Sequence, residues 1–175
     1  MHMKNNGSKD VLGIDIGGVI IQPMDHDKDT SFLGENYLKT PAIEGAFAAI
    51  HDLGAGRFGA DIHLVSKCGP RVERKSREWL DARGFFATTG VPSDNLHFCR
   101  ERHEKAPICE KLGITHFVDD RLEVLSHMAT VANLFLFRPR ENEVRRFAQH
   151  LDRVRRVESW EALKSGLLAP SVAAA

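Results

Sequence analysis

The segment VLGIDIGGVIIQP, residues 11–23, runs β-forming residues into Asp15 and follows it with Gly17 and Gly18. Two further apolar runs also end on polar groups: IHLVS closes on Ser66, and THFVD closes on Asp119 with Asp120 next. HEKAPICEKLGI carries Lys105 just ahead of a helical pattern. Three carboxylates, an ammonium and a hydroxyl suit a hard divalent cation beside a phosphoryl group. Mg²⁺ prefers oxygen ligands in octahedral geometry and keeps several waters. A carboxylate next to it can attack phosphorus while the cation neutralises charge on the phosphoryl oxygens. Lysine and hydroxyl would hold those oxygens in place. Lys67, beside Ser66, competes with Lys105 for this role.

These groups act together only if the fold converges them. Residues 11–15, 62–66, 96–99, 115–119 and 133–137 read as strands, several nearly continuous in apolar residues, as in a parallel sheet covered on both faces. Helical stripes lie between them. Ile43, Phe47, Ile50 and Leu53 mark the first, and Val72, Trp79 and Leu80 the second, which Gly84 can end. A third runs from Pro107 to Leu112 and stops at Gly113. Leu122, Leu125 and Met128 mark a fourth, and residues 141–151 and 160–163 also read as helical. Such alternation predicts a doubly wound, mostly parallel, Rossmann-like α/β domain of three α/β/α layers. Ligands of such sheets bind beyond the carboxyl ends of the strands, where Asp15, Ser66 and Asp119 fall.

The 175 residues suit one domain, read as 11–165, with a polar stretch 1–10 and a tail 166–175 expected to be flexible. Acids and bases balance at 24 each, so net charge favours neither a nucleic-acid nor a membrane partner. No apolar run approaches the roughly 20 residues of a membrane span. The odd set Cys68, Cys99 and Cys109 lacks metal-site spacing and reads as reduced thiols of a cytoplasmic protein. Cys68 follows Ser66 closely but has no evident partner to activate it. His63, His97 and His116 lie inside strands and read as packed residues. Arg71, Arg74, Lys75 and Arg77 form one basic face, and Arg138, Arg140, Arg145, Arg146, Arg153, Arg155 and Arg156 a second. Interleaved acids make solvated faces the first reading, with a phosphate-backbone surface for nucleic acid as the lesser one.

The four stretches resemble, in order, the four motifs of the haloacid dehalogenase (HAD) superfamily. DIGGV resembles the first, HLVS the second, the Lys105 segment the third and HFVDD the fourth, over residues 11–137. The resemblance implies Asp15 as the nucleophile that becomes an aspartyl-phosphate, with Ser66 and Lys105 holding the phosphoryl group. It implies Mg²⁺ bound by Asp15, Asp119, Asp120 and the backbone carbonyl of Gly17. The substrate would be a phosphorylated small molecule or a macromolecular phosphate. Phosphatases of the superfamily usually carry an aspartate at the position of Gly17, which protonates the leaving oxygen and then activates water. Its loss removes general acid–base catalysis worth about 10²–10⁴-fold. Asp25 or His26 in the following loop, where Asp25, His26 and Asp27 otherwise read as solvated, could replace it. The resemblance also implies a minimal cap, an insertion at about 21–40, and a crevice open to a large substrate or to closure by a second subunit. Two alternatives remain beside the hydrolase: a catalytically inactive phosphate- or protein-binding protein, and a nucleic-acid binding or end-processing module.

Overall fold

A computed structural model describes residues 9–23 and 34–170. Among these residues, six strands form one sheet: β1 Leu12–Ile14, β2 Ile62–Lys67, β3 Leu96–Cys99, β4 His116–Asp119, β5 Asn133–Phe137 and β6 Val154–Val157. Their order is β3-β2-β1-β4-β5-β6 and every neighbouring pair is parallel. The chain leaves β1 toward β2 and β3, then returns to its other side with β4. This reversal places a crevice at the carboxyl end of β1. In register, Ile14 lies beside Leu64 on one side and Val118 on the other. The next residue along each edge therefore brings Asp15 level with Asp119.

Among the described residues, seven α-helices cover the sheet: α1 Ala46–Leu53, α2 Pro70–Ala82, α3 Phe85–Thr89, α4 Lys105–Lys111, α5 Leu122–Ser126, α6 Glu141–Arg146 and α7 Trp160–Leu168. Alternate strand residues feed two cores. Leu12, Ile14, Ile62 and Leu64 pack with Ile50, Leu53, Trp79, Phe85 and Trp160 from α1, α2, α3 and α7. Val65, Phe117, Leu134 and Leu136 pack with Cys109, Leu122, Leu125 and Val144 from α4, α5 and α6. This two-sided burial explains the nearly continuous apolar runs. Gly13 is set by the same packing, because a Cβ there would lie 2.4 Å from the Phe117 ring. No described helix is long and apolar enough to cross a membrane.

Three elements differ from the sequence reading. The helical region expected over 141–151 ends as α6 at Arg146, continues as a 3₁₀ segment Ala148–Arg153 and leads into the sixth strand. On β6, Val157 is buried while Arg155 and Arg156 are exposed. An edge strand needs only part of its length apolar, so its arginines look like a solvated face in sequence. The short helix α3 was likewise hidden, because five residues hold too little periodicity to read.

Candidate functional site

The first-strand loop begins where β1 ends. The Asp15 N–H donates to the Val118 carbonyl at 2.9 Å, carrying the β1–β4 ladder one residue beyond β1. The chain then turns tightly: Gly18 N–H donates to Ile21 O at 2.9 Å, and Ile20 and Ile21 N–H donate back to Ile16 O at 2.9 and 3.0 Å. Gly18 has φ +80°, and a Cβ there would meet the Asp120 carboxylate at 2.5 Å. Both facts demand glycine, one through backbone conformation and one through close approach. Trp160 of α7 holds the turn from behind, donating Nε1–H to the Val19 carbonyl at 2.7 Å.

Lys105 is the first residue of α4 and is 2% exposed. The loop before it is ordered by Glu104, whose carboxylate accepts the backbone N–H groups of Arg100 and Glu101, each at 2.9 Å. Lys105 Nζ lies 2.8 Å from Asp15 Oδ1 and 2.8 Å from Asp119 Oδ2. Burial opposes the ammonium charge, but the two carboxylates outweigh it and hold Lys105 above its ordinary pKa. The other Asp119 oxygen, Oδ1, accepts the Arg121 N–H at 2.9 Å. Burial pushes the Asp119 carboxyl up to about 6 against the pull of Lys105. Asp120 rises further, to about 8, through burial and then the charges of Asp119 and Asp15.

Asp15, Asp119 and Asp120 each offer an oxygen within 4.8 Å of the others. Three clustered carboxylates share one lysine, so the group carries excess negative charge in a poorly solvated place. Elevated carboxyl pKa values are the expected result, and a hard divalent cation is the partner that fits an all-oxygen donor set. The residues therefore suit Mg²⁺.

Asp15, Gly17, Ser66, Lys105, Asp119 and Asp120 all line one cleft of about 450 Å³. Lys67 also lines it, but is exposed, whereas Lys105 sits buried between the acids. Burial separates the two lysines, a distinction absent from local sequence. Ser66 is buried near the end of β2. Cys68 lines the cleft too, with its thiol pushed up to about 11, chiefly by burial. It is therefore a thiol and not a thiolate at neutral pH, and all three cysteines are unpaired. Asp25, His26 and Asp27 lie outside the described residues. His63 and His97 pair across strands at 3.2 Å, and His116 contacts Thr115 Oγ1 at 2.8 Å, all away from the cleft.

Sequence reasoning missed the cationic rim of this cleft. Arg102, Arg121 and Arg140 line it from the loops after β3, β4 and β5. Their placement after successive strands was the available signal. Other members of the basic faces noted in sequence, which include Arg140, behave differently. Arg77 pairs with Glu73 at 3.0 Å, and Arg156 pairs with Glu141 and with Glu158. Lys75 is buried, donating to Gly34 O at 2.7 Å beneath the Tyr37 ring.

The strand order and switch-point cleft define a doubly wound α/β protein with its polar site at the carboxyl ends of the strands. Among such proteins, the chain has the haloacid dehalogenase-like fold. It is similar to a HAD family hydrolase from Deinococcus radiodurans R1 whose structure contains bound phosphate and sodium: TM-score 0.58, 13% identity, covering 93% of this chain and 99% of that one. It is also similar to a haloacid dehalogenase-like hydrolase from Burkholderia xenovorans LB400, at TM-score 0.56 and 13% identity, covering 93% and 100%. No family model and no curated protein matches the sequence.

Proposed function

We propose that the protein is a Mg²⁺-dependent hydrolase or phosphotransferase of the HAD type, acting on phosphate monoesters through an aspartyl-phosphate at Asp15. The observation that carries this reading is the buried Lys105 ammonium, held 2.8 Å from both Asp15 and Asp119 with Asp120 in the same cleft. A lysine so placed keeps Asp15 oriented and compensates charge where a phosphoryl group would arrive. The phosphate held by the Deinococcus relative is consistent with that chemistry.

In this scheme Asp15 Oδ2, the oxygen not bonded to Lys105, attacks phosphorus. The Asp15 O–P bond forms as the P–O ester bond breaks, and the leaving oxygen keeps the electron pair. The Ser66 hydroxyl donates to a phosphoryl oxygen. Asp15, Asp119, Asp120 and the Gly17 carbonyl would hold Mg²⁺, which supplies Lewis-acid stabilisation of phosphoryl charge. Water, or a second acceptor hydroxyl, then takes the phosphoryl group from Asp15.

Position 17 supplies no proton carrier for either half-reaction. Gly17 has no side chain, and no histidine stands among the described residues lining the cleft. Turnover should favour substrates whose leaving oxygen is already a weak base. The same observation favours a second reading, a protein that binds Mg²⁺ and a phosphorylated ligand without turnover. A panel of phosphate monoesters assayed with and without Mg²⁺ separates them. Hydrolysis that requires Mg²⁺ and disappears in Asp15→Asn, with the circular dichroism spectrum unchanged, supports the enzyme. Hydrolysis that survives Asp15→Asn rules out this mechanism. Mg²⁺-dependent ligand binding without product supports the binding protein.

A further inference from the structure

The cleft carries more positive charge than its catalytic groups need. Asp15, Asp119 and Asp120 face Lys105, and a divalent ion would balance the remaining negative charge. Arg102 is engaged by Glu123 at 2.9 Å. Lys67, Arg121 and Arg140 line the same cleft and make no salt bridge within 4.0 Å among the described residues, although the Arg121 charge favours ionised Asp120 from a greater distance. Three such cations exceed the charge of one phosphate dianion.

Their placement is specific. Arg121 precedes α5 and Arg140 precedes α6, and these loops leave neighbouring strands β4 and β5. Glu143 of α6 accepts the first N–H groups of α5, from Leu122 at 3.1 Å and Glu123 at 2.8 Å. This bond holds the starts of α5 and α6 side by side. It also occupies the first two N–H groups of α5, so the two guanidinium groups are the side-chain anion donors on that flank. A guanidinium fork matches phosphate or carboxylate oxygens bidentately.

Resting on the phosphate-ester reading above, we infer that the substrate is a small phosphate monoester carrying a second anionic group, which Arg121 and Arg140 bind on the β4–β5 side of the cleft. The second group is a phosphate or a carboxylate, since both fit the fork. A cleft of about 450 Å³ has the size of a small-molecule site. A nucleic-acid strand would need a continuing track of free cations. Arg77 and Arg156 do not extend such a track, because Arg77 pairs with Glu73 and Arg156 with Glu141 and Glu158.

Phosphonates test this, because their C–P bond resists hydrolysis and binding is read apart from turnover. Calorimetry with Mg²⁺ at fixed ionic strength would compare hydroxybutyl phosphonate, butylene bisphosphonate and carboxypropyl phosphonate. One or both doubly anionic probes should bind about tenfold more tightly than the hydroxyl probe. Which of them gains identifies the second group. In Arg140→Ala that ratio should fall severalfold, while in Arg145→Ala, an exposed position on the following helix α6, it should hold. Equal affinities for all three probes would overturn the inference and leave the phosphate-ester reading intact. A preference untouched by Arg140→Ala would also overturn it. No Mg²⁺-dependent binding of any probe would remove both. A short 5′-phosphorylated oligonucleotide binding more tightly than every small probe would replace this substrate class with nucleic-acid ends.

Discussion

A Cβ built on Gly17 meets no atom within 4 Å, and its backbone is not in the left-handed region. An aspartate can therefore stand there without strain, so the missing carboxylate is a chemical difference and not a steric necessity. Gly18, one residue on, has the opposite character, with φ +80° and the Asp120 carboxylate in the way. Gly17→Asp should preserve folding and raise phosphate-ester turnover by about 10²–10⁴-fold, the usual worth of a general acid–base group. Steady-state kinetics on an alkyl phosphate, whose leaving group needs a proton, gives the clearest reading. Unchanged turnover in a folded variant would mean that more than this proton carrier is missing. In sequence, the adjacent glycines look equivalent, because their difference lies in a contact with a residue a hundred positions away. Asp15 and Asp119 were legible because strand ends declare themselves locally. Arg121 and Arg140 were not, because a position after a strand end does not by itself separate a cleft arginine from a solvated one.

At the scale of elements, the loop that follows Asp15 depends on a helix far away in sequence. Trp160 opens α7, is 1% exposed and donates to the Val19 carbonyl inside the turn that follows Asp15. It also packs on Phe137 of β5, with ring centroids 5.7 Å apart. WEAL reads as a short helix in the sequence, but its role as a brace for residues 16–21 appears only once β6 returns the chain to that face. The strand itself was hidden by Arg155 and Arg156. Trp160→Phe keeps most of the apolar volume and removes the donor from a buried carbonyl. It should cost about 1–3 kcal/mol in denaturant unfolding. Mg²⁺ affinity should fall too, because the loop that presents Asp15 and the Gly17 carbonyl loses its support. Unaltered stability would mean that Val19 O finds another donor and that α7 does not brace the loop.

For the whole molecule, pH sets two opposing demands on stability. Burial holds His63, His97 and His116 below the ordinary value of 6.5. The unfolded chain takes up their protons first, so the stability they contribute is present above 6.5 and is lost as pH falls through their depressed values. Asp119 and Asp120 act in the other direction, with folded values raised from 3.8 to about 6 and about 8. Their contribution is present below 3.8 and is lost as pH rises through those values, when uncompensated charge accumulates beside Asp15. Mg²⁺ should reverse the second loss, because it binds the ionised acids and competes with their protons. The Mg²⁺-induced rise in Tm should therefore be larger near about pH 9 than near about pH 6. Asp120→Asn removes one charge from the cluster without touching the Lys105 bonds to Asp15 and Asp119. It should raise the Tm of the metal-free protein at about pH 9 and shrink the Mg²⁺ effect there. Thermal melts across pH, with and without Mg²⁺, decide the matter. A Mg²⁺ shift that is independent of pH, or greatest in acid, would mean that the three carboxylates do not hold the ion.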